Sequence, residues 1–231
     1  MGTKYRRQTY VMFFLFITLF GLFILTKMLE QPVPLNPGIE FGGRRVLASL
    51  VYGFICGAGI VTVFFPEPCS RAFGIHRSLS DYARRLDART TKVLGFVLLH
   101  GHHPVREDGT AIHEFRLGEK NYCASCFGLF AGSILSLTMI TAFLLFGWTD
   151  SHPARIIYIM GVAGAVLGLI PAVVSVGTWS RFILGAIFVA GTCLILIAAE
   201  IMTGNLMADL LVILLSVFWL LFRISSSHRR L

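Results

Sequence analysis

The feature that most limits what this chain can fold into is a set of six long apolar runs that carry almost no charge. They span roughly residues 10–28, 46–65, 127–146, 156–174, 182–202 and 206–222. A run of about 18 to 20 apolar residues is what a helix needs to cross the hydrocarbon layer. A soluble core has no use for runs of that length, and a soluble surface needs more charge than this chain carries. Only 14% of its residues are charged, against about 25% in an average soluble domain. The expected fold class is all-α: a polytopic integral membrane protein with about six transmembrane helices.

The first run follows Lys4, Arg6 and Arg7, much as a secretory signal would begin. Its apolar part is too long for a signal core, and Leu29-Glu30-Gln31-Pro32 offers no small-x-small cleavage site. It is read as a membrane helix or signal anchor. Glycine and proline recur in the fourth and fifth runs (Gly161, Gly164, Gly168, Pro171, Gly185 and Gly191). In a membrane helix they point to close packing and a kink. The short connections after the third to fifth runs make the 127–222 half an antiparallel bundle of four helices.

Lys and Arg set the expected orientation, because cytoplasmic loops hold an excess of them. With both termini inside, sixteen of the twenty fall on the inner side, counting the N-terminal tail, the 66–126 loop, Arg181 and the basic tail at 223–231. The outer side holds Lys27, Arg44, Arg45 and Arg155. This predicts a multi-pass protein of the cell (inner or plasma) membrane with cytoplasmic N- and C-termini. The net charge of +8 is then accounted for by anionic lipid headgroups as partners. No helix-turn-helix, finger or RNP-like pattern accompanies it, and no nucleic-acid partner is expected.

The 66–126 loop is the one sizeable segment outside the apolar runs. Over residues 79–92, Leu79, Tyr82, Ala83 and Leu86 recur at helical spacing, while Arg77, Arg84, Arg85, Arg89 and Lys92 supply a basic face. That predicts an amphipathic helix lying on the inner leaflet, or a solvated linker helix. Residues 93–99 are too few to span and would dip into the interface or pack on the bundle.

Residues 100–126 concentrate the chemistry. They hold His100, His102, His103 and His113, four of the seven histidines, together with Cys123 and Cys126. Cys-x-x-Cys lets two thiolates take adjacent corners of a zinc tetrahedron, and two of the histidines can complete it. The same spacing serves a redox dithiol. Helix-start N–H groups beside the cysteines would stabilise thiolates in either role. Covalent c-type haem is not expected, since Phe127 stands where that motif needs histidine. A cytoplasmic loop disfavours a standing disulfide. Cys56 and Cys193 lie inside apolar runs and are expected to be buried packing residues.

Three charges at the fifth and sixth runs stand out. Glu200 and Asp209 sit near the outer ends of the fifth and sixth, where interfacial hydration accounts for them unless they form a functional site. Arg181 opens the fifth run as a positive-inside anchor, or as a residue holding an anionic headgroup or substrate near the Cys/His loop.

The run from Phe115 through Gly118, Cys123-Ala-Ser-Cys126, Gly128 and Gly132 resembles the signature of a family of small membrane proteins known as domain of unknown function 2085. Pro171 and Ser180-Arg181-Phe-Ile-Leu-Gly185 resemble a second part of it, so the likeness covers about residues 100–191. His100 stands where that pattern has its first Cys, and Ser125 where it has Arg. A zinc site tolerates Cys-to-His and a dithiol relay generally does not. The resemblance implies that the loop is a unit, and it implies no activity.

The preferred expectation is a non-catalytic membrane protein whose loop binds structural zinc. An alternative is a metal- or thiol-dependent membrane enzyme acting on a lipid or isoprenoid substrate. Another is a quinone-linked thiol oxidoreductase, which needs Cys123 and Cys126 to cycle. A transporter is disfavoured, because no inverted repeat is visible and no charge sits at mid-membrane.

Overall fold

The computed structural model describes the backbone of residues 2–30, 40–64, 90–93, 96–99, 114–117, 120–147, 151–174 and 176–228. Six helices follow one another: α1 (Gly2–Leu29), α2 (Glu40–Phe64), α3 (Ala124–Phe146), α4 (Ser151–Val173), α5 (Thr178–Thr203) and α6 (Leu206–His228). Each contains a stretch long and apolar enough to cross a membrane. Each also turns large apolar side chains outward, among them Phe16, Phe54, Leu145, Ile159, Ile183 and Leu214. Such a surface suits lipid and not water. The fold is that of a multi-pass α-helical membrane protein.

Before α3 lie two short antiparallel hairpins, β1 (Thr90–Val93) with β2 (Phe96–Leu99) and β3 (Glu114–Leu117) with β4 (Lys120–Cys123). Each is joined by two residues that include a glycine, the composition tight hairpins favour. The amphipathic helix expected over 79–92 lies outside the described residues up to Arg89, and at Thr90–Lys92 the chain is extended instead. The reason is local: Thr90, Thr91 and Val93 are β-branched and prefer a strand. Of the 93–99 stretch, Val93 ends β1 and Phe96–Leu99 form β2. Helix α3 begins at Ala124, so Cys126 belongs to its first turn and not to the loop.

Helix α5 is the one the others surround. Of its span 61% is buried, against 22% to 44% for the other five. Two neighbours reach it through small residues. On α3, a Cβ added at Gly132 would lie 2.8 Å from the Ala186 carbonyl oxygen. On α4, one added at Gly161 would lie 2.8 Å from the Ile195 amide nitrogen. These are backbone-to-backbone approaches, the arrangement the glycines of the fourth and fifth runs predict. Helix α6 returns along α5 through a two-residue turn. Gly204 takes the left-handed conformation at φ 57°, and the Asn205 side chain accepts from the Met207 amide at 2.9 Å to cap α6.

Side-chain bonds tie the outer layer to this core. Trp219 Nε1 donates to Thr18 Oγ1 at 3.1 Å, joining α6 to α1. The Thr26 and Tyr158 hydroxyls meet at 3.0 Å between α1 and α4. Tyr52 on α2 donates to the Val189 carbonyl at 3.0 Å and lies 2.6 Å from Thr192 Oγ1 on α5. Cys56 and Cys193 are buried beside this contact, as their apolar settings predict. Tyr52→Phe removes the hydroxyl and leaves the ring. We expect it to weaken the fold by about 1 kcal/mol, read as a small downward shift in the detergent unfolding midpoint.

Candidate functional site

The charged groups of the bundle gather at its two ends. At one end α5 begins and α6 finishes, and two arginines are buried there. Arg181, 3% exposed, donates from Nε to the Val176 carbonyl at 3.1 Å. Its own carbonyl accepts from Arg223 Nη2 at 3.5 Å. Arg223 Nη1 also donates to Gly168 O at 2.8 Å and Leu184 O at 3.2 Å, and its guanidinium lies 5.4 Å from the Phe188 ring centre. The guanidinium of Arg223 thus ties α4 and α5 to the end of α6 through carbonyl oxygens. The residue expected to hold an anionic headgroup or substrate, Arg181, sits inside this knot and not on the bundle surface.

Helix α3 starts at the same end. Phe127 stacks on Phe182, with ring centres 5.8 Å apart, and Gly128 packs directly on the Phe182 backbone. Cys126 is half-buried in the first turn of α3, and Cys123 is the last residue of β4. The four histidines proposed to join them, His100, His102, His103 and His113, lie outside the described residues. Among the described residues no group of three or more His, Cys, Asp or Glu side chains is placed to hold a metal ion.

At the opposite end, where α2 begins and the α5–α6 turn lies, the structure brings together residues that sequence reasoning kept apart. Arg44 Nη2 donates to Glu200 Oε2 at 2.7 Å, and Nη1 donates to Asp209 Oδ2 at 3.2 Å. The guanidinium bridges the last turn of α5 and the first turn of α6. Glu200 and Asp209 are 1% and 0% exposed. Interfacial hydration therefore does not account for them: they are packed between helices and paired. Next along α2, Arg45 lies over the Phe143 ring of α3, 5.3 Å from its centre.

The signal that could have found this cluster was present in the sequence. Two acids stand in otherwise uncharged apolar runs, either side of a Gly-Asn turn, and alternation of the helices puts Arg44 at the same membrane end. A buried charge needs a partner, so pairing was the stronger inference. Chemically, the arrangement is a guanidinium fork holding two carboxyl groups side by side in a site largely closed to water.

No family model matches the chain, and neither a curated protein nor a solved structure matches it, so the likeness to domain of unknown function 2085 rests on the motif residues alone.

Proposed function

We propose that this protein is a multi-pass protein of the cell membrane, with both termini cytoplasmic, whose loop ahead of α3 carries one structural zinc ion. Cys123, Cys126 and two of His100, His102, His103 and His113 would hold it. The orientation rests on the Lys and Arg asymmetry between alternate loops.

The observation that carries the zinc reading is the register of the second hairpin. Glu114 pairs with Cys123, and cross-strand partners lie about 4.5 to 5.5 Å apart at Cα. His113 precedes Glu114, one Cα step of about 3.8 Å away. The hairpin therefore returns the chain to the Cys-x-x-Cys at the point where β4 runs into α3. The two further ligands would come from His113, which directly precedes β3, and from His100, His102 and His103. Exposed amides in the first turn of α3 would support the thiolates. Zinc bound there would cross-link the loop to the base of α3.

Elemental analysis of the detergent-purified chain tests this. We expect one zinc per chain in the wild type and none in Cys123→Ser/Cys126→Ser, with lower abundance of the double variant. Metal-free wild-type protein whose cysteines are trapped as a disulfide would replace the zinc reading with the dithiol one.

A further inference from the structure

We propose that Glu200 and Asp209 share one bound proton, which makes the Arg44 end of the bundle a proton-binding site. Arg44 takes one oxygen from each carboxyl, Glu200 Oε2 and Asp209 Oδ2. The remaining oxygens, Glu200 Oε1 and Asp209 Oδ1, are buried and meet no donor among the described residues. Two ionised carboxyls would both be acceptors only, and both of those oxygens would be left unsatisfied in an apolar setting. The shared guanidinium also holds the two carboxyls side by side. A hydrogen bond between two carboxyls requires a proton on one of them, and a single proton turns the repulsive pair into a bonded one. It belongs to the pair and not to either residue.

The surrounding charges fit this count. Arg44 lies between the acids, and Arg45 from the same helix is stacked over Phe143. At this end of α1, Lys27 and Glu30 pair with each other at 2.7 Å, both well exposed. Arg155 near the start of α4 is exposed. Of the three members of the cluster, Arg44 has the most exposed side chain, 11% against 2% for Glu200 and 0% for Asp209, which makes its guanidinium the route by which a proton would reach the pair. Protonated, the pair is neutralised by Arg44 and α2 is held against α5 and α6. Deprotonated, it carries one charge more than Arg44 neutralises, while Arg45 is held over Phe143, and that contact loosens.

A pair that keeps a proton when folded binds more protons than the unfolded chain once pH rises above the ordinary carboxyl range. Its contribution to stability therefore falls as pH rises from there. Glu200→Gln and Asp209→Asn each install a neutral amide that cannot lose the proton it replaces.

The test uses the full chain in detergent or nanodiscs. Infrared difference spectroscopy of the wild type at neutral pH should show a protonated carboxylic acid band that shifts in heavy water and disappears in the Glu200→Gln/Asp209→Asn double variant. Each single amide variant should melt close to the wild type at neutral pH, and its melting temperature relative to the wild type should rise with pH. The proposal is overturned by a wild-type spectrum with no such band. It is equally overturned if both single amide variants are as unstable as Arg44→Ala, or if sodium or calcium ions restore the alkaline loss, which would make the ligand a metal cation.

Discussion

Arg44→Ala should destabilise the bundle by roughly 3 to 5 kcal/mol, the range for removing one partner of a buried ion pair. The loss would be seen as a large fall in the unfolding midpoint of the detergent-purified protein. The size comes less from the bonds lost than from what remains. Glu200 and Asp209 are buried and would stay in an apolar site without their cation. The other ends of their helices cannot move to compensate, because Arg223 and Arg181 anchor them. Arg44→Lys should recover only part of the loss. A lysine ammonium is a point charge, whereas Arg44 meets the two carboxyls with two different nitrogens. If Arg44→Ala leaves the midpoint unchanged, the ion pairs described for α2 do not hold the helices together.

The second large effect is expected at Gly191. A Cβ built there would lie 2.6 Å from the Ala165 amide nitrogen and 2.8 Å from the Gly161 carbonyl oxygen. Both are backbone atoms of α4, so no rotamer change relieves the clash and the helices must separate. Overpacking usually costs about 1 to 3 kcal/mol. We expect Gly191→Ala near the top of that range and Gly191→Leu beyond it, with little monodisperse protein recovered on gel filtration. Gly57→Ala is the control. Nothing lies within 4 Å of a Cβ built at Gly57, and alanine is the better helix former, so it should be neutral or slightly stabilising.

The two effects mark what could and could not be read from the chain. The six spans were legible because the bilayer sets a minimum length for an apolar run, and length can be counted. The approach of α4 to α5 was legible in kind, through Gly161, Gly164, Gly168 and Gly191, because only small residues let backbones touch. Which helix stands at the centre was not. Lipid-facing and protein-facing positions are both apolar, so Ile183, exposed, and Ile195, buried, look alike in the sequence. The partnership of Arg44 with Glu200 and Asp209 was hidden for a different reason. Each residue taken singly has an adequate interfacial explanation, and only the packing of α2 against the α5–α6 turn removes it. In the loop, the helical spacing of Leu79, Tyr82 and Leu86 outweighed the β-branched Thr90, Thr91 and Val93 in the reading. The described part of that stretch follows the local preference.

The central place of α5 also bears on how the protein is assembled. A ribosome delivers helices in chain order, so four spans reach the bilayer before the helix they pack around exists. Until then the small-residue faces of α3 and α4, at Gly132, Gly161 and Gly164, have only lipid or one another to meet. When α5 arrives it brings Glu200, and α6 follows at once with Asp209 across a two-residue turn. The guanidinium that pairs with both is already present on α2. The acids thus enter a membrane in which Arg44 is already in place, and their ion pairs join an early-made helix to the last two.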